Sequence, residues 1–451
     1  MFLIQLPAVN SPYTILALLA LPLHAQVTTT ADFVPGSLRQ VIAAAPTGST
    51  VTFAPHLSGQ TLGLTNGLIG ITKSVTIDAS ALANGVIIDG HGRNSLFHCG
   101  SQTTNTFIGL TLTGGRTTIG GGAILNDSVL TLNECTLLGN IANEGGAIFN
   151  FTTLTLNRCT LVGNYARYGG AIEGDGGPVT LNQCTVAGNF ATNDGGGILN
   201  FFSLTLNHCT VVGNRAFSGG GIDSLDTVNL NNSIVAGNIA NFDPQIAGAI
   251  NSSGVNLISG DPLLAPLGDY DGPTQTMPPL PGSPAIDPLG GQTNSMFSSD
   301  QRGLPRVVGT RADIGAAEFQ RSTDVAVFWP TDWDEDGNSF GLELALGLNP
   351  LRPDAGAAGT PTSWPPAVGN GIRFGFNDAA TNYTAWVVKR SLDLSAPNSF
   401  VEIFRLDGPS GATTQTNHLT VNRTLDSIQI MDDTNPRAPS AFYLLSIEPR
   451  R

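Results

Sequence analysis

The chain has 451 residues and a formal net charge of −14 at pH 7, with only two lysines, Lys73 and Lys389. This balance leaves no basic patch that could neutralise phosphates, so nucleic acid is excluded as an expected partner. The length permits two or three domains. Beyond the N-terminal stretch no run approaches the roughly 18 apolar residues of a membrane span, so none is expected in the mature chain.

The N-terminus predicts a signal peptide at residues 1–25. An apolar stretch runs from Tyr13 to Leu23 and ends in Leu-His-Ala-Gln, which favours cleavage after Ala25. No Lys or Arg precedes Arg39, so only the amino terminus would supply positive charge to this segment. A buried or mis-started segment is the alternative interpretation.

A short capping helix is predicted next. Ser37 can accept a hydrogen bond at its N-terminus, and Leu38, Val41 and Ile42 share one apolar face. Such a helix would cover the first end of the repeated domain, which we assign to residues 26–260.

Five copies of one phrase dominate that domain. Each copy contains a Gly-Gly-Ala/Gly-Ile strand, an apolar strand that ends in Asn, a Cys/Ser-Thr/Ile-apolar strand and a Gly-Asn pair, and it lacks helical periodicity. The copies start 24, 24, 26 and 24 residues apart. A nearly fixed period of this size signals a solenoid whose units bury their apolar faces by stacking on one another. The fold class is therefore all-β: a right-handed parallel β-helix with three sides. The copies begin at Gly121, Gly145, Gly169, Gly195 and Gly219.

Equivalent residues of successive copies should stack in columns. The Asn that ends each apolar strand is expected to form the first corner in the left-handed conformation, and the Asn of each Gly-Asn pair the second corner. Their stacked amides can bond along the axis, and contact with a glycan is the less favoured alternative. The first column is Asn133, Asn157, Asn182, Asn207 and Asn231, and the second is Asn140, Asn164, Asn189, Asn214 and Asn238.

The four cysteines of one stacked column are predicted to be buried free thiols. Neighbouring rungs hold their Cβ vectors parallel, which disfavours a disulfide, and five cysteines suit no complete disulfide framework. Cys99 lies outside the column. That column is Cys135, Cys159, Cys184 and Cys209, with Ser233 in the last copy.

Catalysis would require carboxylates on neighbouring coils. The residues before each Gly-Gly pair are Glu144, Tyr168, Asp194 and Ser218, which separate the two acids by two rungs, roughly 10 Å. The column after the first corner has mixed chemistry and no acid pair; it is Glu134, Arg158, Gln183, His208 and Asn232. Three further acids look scattered and solvated: Glu173, Asp223 and Asp226.

Residues 261–320 are rich in Pro and Gly and are predicted to fold over the last coil as a C-terminal cap.

The repeat Leu137…Asn140…Ala142…Gly145-Gly-Ala-Ile resembles that of bacterial polymorphic outer-membrane proteins, with Leu or Val where that family usually has Phe. The later segment is similar to the choice-of-anchor Q ending of such β-helix proteins. Its motifs are Gly272-Pro-Thr-Gln-Thr, Pro281-Gly-Ser-Pro-Ala-Ile-Asp287, Asp300-Gln-Arg-Gly-Leu-Pro-Arg306 and Asp313-Ile-Gly-Ala-Ala-Glu318. The resemblance covers roughly residues 27–320 and implies secretion or surface display, without catalytic residues.

A calcium loop is predicted within residues 321–350. The motif D-x-D-x-D-G-x5-E supplies oxygen ligands at alternating positions, with a Gly for the sharp turn. The segment before it looks like a strand, so a single structural calcium loop is expected, and a solvated acidic turn is the alternative. The ligands would be Asp332, Asp334, Asp336, the backbone carbonyl of Asn338, and Glu343.

Residues 351–366 are predicted to be a linker and residues 367–451 a small antiparallel β-sandwich. Two function classes remain. The first is an exported, non-catalytic protein of the cell surface or extracellular matrix that acts in adhesion or binds a glycan or another surface component. The alternative is a polysaccharide lyase or glycoside hydrolase that uses an outward face of the β-helix. The sequence does not determine the oligomeric state.

Overall fold

A computed structural model describes residues 25–293, 295–320 and 324, together with the backbone of eight strands between residues 362 and 449. Residues 25–253 form a parallel β-solenoid of about nine turns with three long sheets. The predicted all-β, parallel β-helical fold is therefore confirmed for this part of the chain. A short two-stranded sheet, Tyr165–Ala166 with Phe190–Ala191, adds a narrow fourth side to the three sides that the sequence predicts. The predicted signal peptide lies almost entirely outside the described residues, because the first of them is Ala25.

The first sheet has ten strands and the other two have eight each, with neighbouring strands one coil apart. The first sheet comprises Ala25–Val27, Ser49–Phe53, Val75–Asp78, Thr104–Ile108, Val129–Asn133, Leu154–Asn157, Val179–Asn182, Leu204–Asn207, Val228–Asn231 and Ile250–Ser253. The second comprises Thr61–Gly63, Val86–Asp89, Leu110–Thr113, Thr136–Leu138, Thr160–Val162, Thr185–Ala187, Thr210–Val212 and Ile234–Ala236. The third comprises Ile69–Ile71, Phe97–Cys99, Ile124–Asn126, Ile148–Asn150, Ile172–Gly174, Ile198–Asn200, Ile222–Ser224 and Ile246–Ala247.

The pairing register places like residues above one another. Leu154 lies beside Leu130 on one side and Val179 on the other, so the apolar positions of successive coils meet in the interior. Leu130, Leu154 and Val179 are all fully buried. Each coil thus supplies only one layer of the core, which explains why the fold needs many copies.

The first corner differs from its prediction. Asn157 remains in its strand, and the left-handed residue is Arg158, with φ of 53°. The same holds for the whole column Glu134, Arg158, Gln183, His208 and Asn232. The Asn amide instead bonds along the axis, as Asn157 Nδ2 donates to Asn133 Oδ1 at 2.8 Å. This ladder holds the Asn157 side chain, and the next residue, Arg158, adopts the left-handed conformation that the turn requires.

The second corner contains a buried amide ladder. Asn164 Nδ2 donates to Asn189 Oδ1 at 2.9 Å and to the Leu137 carbonyl oxygen at 3.0 Å. Its neighbour Asn189 continues the chain to Asn214. The glycine before each Asn takes the left-handed conformation, with φ of 63° at Gly163. The predicted axial bonding of both Asn columns is therefore confirmed.

All five cysteines are buried and free, which confirms the prediction for the four of the column and extends it to Cys99. The backbone N–H of Cys135 donates to the sulfur of Cys159 at 3.4 Å, and Cys159 does the same to Cys184. In the last copy Ser233 Oγ accepts from Cys209 N at 3.0 Å. The hydroxyl therefore replaces the thiol as the acceptor of the same axial bond.

A short helix, Leu38–Ala44, precedes the second coil, and a 3-10 turn follows at Pro55–Leu57. Ser37 is the N-cap of the helix, and its side chain accepts a hydrogen bond from Gln40 N, as the sequence predicts. Leu38 and Ile42 are buried against the first coils.

Residues 261–320, here called the side segment, lie along the outer face of the second sheet. Thr274 Oγ1 donates to the Arg158 carbonyl oxygen at 2.9 Å, and Ala316 N donates to Thr210 Oγ1 at 2.9 Å. Apolar side chains such as Leu264 and Ile314 pack on Val212 and its neighbours in the same sheet. The segment therefore covers one side of several coils, and its predicted role in closing the last coil stays a prediction.

Buried charges organise the side segment where regular ladders are missing. Asp300 accepts from Arg302 Nε and from the backbone of Glu318, both at 3.0 Å. Asp313 accepts from Phe319 N at 2.7 Å. Arg306 is 1% exposed, and its Nη2 donates to backbone carbonyls. These side chains come from the motifs that resemble the choice-of-anchor ending, and here they satisfy backbone groups of an irregular segment.

The C-terminal strands form two antiparallel four-stranded sheets. One contains Thr362–Ser363, Gly371–Gly375, Leu419–Arg423 and Ser427–Asp432, and the other contains Thr384–Ser391, Val401–Asp407, Ala412–Gln415 and Phe442–Pro449. Thr362–Ser363 lies within the predicted linker. The packing of the two sheets into a sandwich stays a prediction.

Candidate functional site

The strip between the second and third sheets forms a fourth, narrower side of the solenoid, here called the corner face. Two columns of paired residues run along it. The first, the aromatic column, is Arg116, Ile141, Tyr165, Phe190, Arg215 and Ile239. The second, the acid column, is Gly120, Glu144, Tyr168, Asp194, Ser218 and Phe242.

Glycine folds this strip tightly against the third sheet. Gly169 follows the acid column with φ of 58°, and a Cβ added to it would collide with the carbonyl oxygen of Ile172. The turn brings the acid column beside the outward residues of the third sheet. We call these residues the outer column and count them as part of the corner face. The outer column is Leu125, Phe149, Glu173, Leu199, Asp223 and Ala247.

Aromatic rings line the exposed edge of the corner face. Tyr165 and Phe190 stack with ring centroids 5.3 Å apart, and the Arg215 guanidinium lies 6.0 Å from the Phe190 centroid. Phe217 and Phe242 make an edge contact at 5.3 Å. Tyr165, Phe217 and Phe242 are 43%, 50% and 59% exposed. Large exposed apolar side chains on one side of a molecule indicate an interaction surface.

Tyr168 occupies the rung between the two acids named from the sequence. Its hydroxyl accepts from Asn193 Nδ2 at 3.2 Å, and the Arg167 guanidinium lies 5.1 Å from the ring centroid. Glu144 and Asp194 are therefore two rungs apart in one column, as the sequence places them. They do not form a pair with each other.

Glu144 and Asp194 instead each have an acid neighbour that sequence reasoning missed. Glu144 lies close enough to Glu173 for its charge to raise the pKa of Glu173, and the charge of Asp194 raises the pKa of Asp223 in the same way. The expectation that Glu173 is scattered and solvated is wrong, because it is 6% exposed. The sequence does contain a signal for this pairing. Glu173 follows Glu144 by 29 residues, Asp223 follows Asp194 by the same number, and the two pairs are 50 residues apart.

Glu173 is the most perturbed carboxyl of the corner face. Burial, followed by the charges of Glu144 and Asp175, raises its pKa to about 8. Its Oε2 atom is buried and has no hydrogen-bond partner within the described part of the chain. Such an atom calls for an explanation, because nearly all buried polar atoms are hydrogen-bonded.

Asp223 is the corresponding residue of the second pair. Burial and the charges of Asp194 and Asp243 raise its pKa, while Ser218 Oγ donates to its Oδ2 at 3.0 Å. Among the described residues, no ion pair involves Glu144 or Asp194. Within residues 25–293 and 295–320, no cation therefore forms an ion pair with either acid pair.

The column after the first corner offers little exposed chemistry. Arg158 pairs with Glu134, whereas Gln183 and His208 are buried beneath the side segment. Burial and the charge of Arg306 lower the pKa of His208 to about 3, and Arg306 Nη2 donates to its Nδ1 at 2.8 Å. The imidazole is therefore neutral and structural.

An apolar groove lies between the second sheet and the start of the side segment. It has a volume of about 370 Å³ and is lined by Val162, Val212, Leu264, Leu267 and Met277 among others. Asp261 is the only ionisable side chain in its lining.

Metal binding is not indicated in the part that the structure describes, where no group of three or more His, Cys, Asp or Glu side chains could hold an ion. The predicted calcium ligands Asp332, Asp334, Asp336, Asn338 and Glu343 lie outside the described residues.

The chain matches no family model, no curated protein and no solved structure. No helix among the described residues is long and apolar enough to cross a membrane.

Proposed function

We propose that this chain is an exported, non-catalytic β-helix protein whose corner face binds a glycan or another component of a cell surface or extracellular matrix. The observation that carries this proposal is the row of exposed aromatic rings at Tyr165, Phe217 and Phe242, interleaved with carboxylate, amide and guanidinium groups. Aromatic rings present large apolar faces that can pack on the C–H faces of sugars. The polar groups between them can bond to hydroxyls.

The proposal includes the family and the destination of the chain. The repeat and the four ending motifs support membership of the polymorphic outer-membrane-like, choice-of-anchor Q group, and the apolar N-terminus supports export through a signal peptide at residues 1–25. A structural calcium ion at residues 332–343, between the β-helix and a C-terminal sandwich at 367–451, completes the proposed organisation. Residues 351–366 would link them.

Retention on a panel of insoluble neutral, acidic and amine-bearing polysaccharides tests the proposal. We expect at least one to retain the protein, and Tyr165→Ser and Phe217→Ser to weaken that retention about tenfold. Phe202→Ser is the matched control, because Phe202 is 44% exposed but lies in the turn between the third and first sheets, off the corner face. Failure of every polysaccharide to retain the protein, or an equal loss in the control, would overturn the assignment.

Glycan cleavage is the second candidate function, and one observation favours it. Glu173 and Glu144 are neighbouring carboxyls in unequal environments, and such a pair can divide the acid and base roles of glycoside hydrolysis. New reducing ends or unsaturated products, abolished by Glu173→Gln, Glu144→Gln or Asp194→Asn, would support an enzyme. Binding without products supports the first proposal.

A further inference from the structure

The two acid pairs of the corner face repeat with the solenoid. Glu144 with Glu173 forms the first pair, and Asp194 with Asp223 forms the second. The pairs are separated by one intervening rung, so they lie about 10 Å apart along the axis at about 4.8 Å per rung. Tyr168 and Leu199 occupy the rung between them, in the acid column and the outer column respectively.

This arrangement presents two anionic points on either side of an aromatic ring. Glu144 and Asp194 are partly exposed, without a cationic partner among the described residues. The Arg167 guanidinium lies over the Tyr168 ring. A ligand with positively charged groups at the same spacing would therefore compensate the acids, and a sugar between those groups would lie over the Tyr168 rung.

A second observation at the first acid pair, besides its charge, is the buried oxygen of Glu173 that has no hydrogen-bond partner among the described residues. The side chain is 6% exposed, and its Oε2 atom lacks a hydrogen-bond donor or acceptor in the described part of the chain. An ammonium group offers three N–H donors to carboxyl oxygens.

We propose that the two acid pairs bind a linear glycan with free amino groups, aligned along the solenoid axis so that the ammonium groups of alternate sugars meet successive pairs. This inference rests on the proposed glycan-binding function and names its ligand class. One sugar's ammonium lies at Glu144 and Glu173, the next sugar spans the rung of Tyr168 beside the Arg167 guanidinium, and the following ammonium lies at Asp194 and Asp223. A sugar polymer that is acidic or fully acetylated lacks these cations.

Calorimetry with soluble β-1,4-linked glucosamine oligomers at physiological salt tests the inference. A trimer can reach both pairs whereas a monomer reaches one, so we expect the trimer to bind at least tenfold more tightly. Glu144→Gln and Asp194→Asn should each reduce trimer binding about tenfold and leave monomer binding within a few-fold. Asp226→Asn is the control, because it removes one negative charge from an exposed turn away from the corner face.

The outcomes separate this inference from the proposed function. Equal binding of glucosamine and N-acetylglucosamine trimers, or binding that Glu144→Gln and Asp194→Asn leave intact, overturns the ammonium assignment while glycan binding stands. An equal loss in Asp226→Asn indicates attraction by net charge alone and also overturns it. Failure to bind any amine-bearing, acetylated or acidic oligomer overturns both.

Discussion

Glu173 shows how a single side chain acquires chemistry from its position in the coil. Its ordinary pKa of 4.5 rises to about 8 because burial and the charges of Glu144 and Asp175 disfavour the ionised form. Between these two pH values the folded protein binds more protons at this site than the unfolded chain. The contribution of Glu173 to stability is therefore full below pH 4.5 and falls as the pH rises towards 8.

The substitution Glu173→Gln should remove this dependence. Relative to the wild type, the variant should gain free energy of unfolding as the pH rises from 5 to 8, by up to about 1.4 kcal/mol per pH unit. Urea unfolding at several pH values measures the difference. Glu144→Gln should narrow the pH range over which stability falls without abolishing the fall, because the loss of one neighbouring charge lowers the pKa of Glu173. A difference that is independent of pH would contradict the proposed environment of Glu173.

The thiols provide a second test at this scale. Burial raises the pKa of Cys99 to about 12 and raises that of Cys135 and Cys184, whereas at Cys159 burial is outweighed by hydrogen bonds with Cys135 and Cys184, which lower its pKa. All five sulfurs are buried, so a reagent in solution cannot reach them in the folded protein. We expect all five cysteines to resist a thiol reagent in the native protein and to react after denaturation. Fewer than five reactive thiols in the denatured, non-reduced protein would reveal a disulfide and contradict the parallel stacking.

Residue roles at the first corner could be predicted only in part. The Asn column and its axial bonds follow from the repeat, because stacked identical amides have a partner in each direction. The left-handed conformation was assigned to Asn157 but occurs at Arg158. Amide laddering keeps Asn157 in its strand, and no local signal in Arg, Gln or His indicates that such a residue adopts positive φ.

At the scale of one element, the buried ladder of the second corner should be the more stabilising of the two Asn columns. Asn189 Nδ2 donates to Leu161 O and Asn214 Oδ1, while its Oδ1 accepts from Asn164 N and Nδ2. Removing the amide leaves several buried groups unsatisfied, each of which costs about 1–3 kcal/mol. The ladder therefore fixes one coil against the next.

Asn189→Ala should lower the free energy of unfolding by about 3 kcal/mol or more. Asn182→Ala is the matched control from the half-exposed first column, where water can replace the lost bonds, and it should cost about 1 kcal/mol. The shift in the urea midpoint of each variant measures the effect. Equal shifts would show that burial does not distinguish the two ladders.

For the whole molecule, periodicity predicted the solenoid better than it predicted the site. Three sheets follow from the repeat because each strand meets its own equivalent in the next coil. The position of the side segment could not be predicted, because its contacts, such as Thr274 with Arg158, join residues 116 apart in a segment without regular strands. The pairing of Glu173 with Glu144 depends on how tightly the glycine corner folds, which the repeat alone does not specify.

The predicted calcium loop is testable in the full chain. If Asp332, Asp334, Asp336, Asn338 and Glu343 hold calcium, binding to the folded state should raise the melting temperature of the C-terminal transition, by mass action. Differential scanning calorimetry of a chelated preparation, with and without calcium, measures the shift. Asp334→Ala should abolish it. An unchanged transition, or the same shift in the variant, would refute the site.

The proposed function depends on the corner face being the surface through which this protein binds its glycan. Oxidative footprinting with and without a saturating amount of a retained soluble glycan locates the bound surface. We expect Tyr165, Phe217 and Phe242 to become protected, while the exposed Phe202 keeps its reactivity. Protection confined to Phe202, to Met277 in the apolar groove, or to any other surface that leaves the corner face unchanged would contradict it.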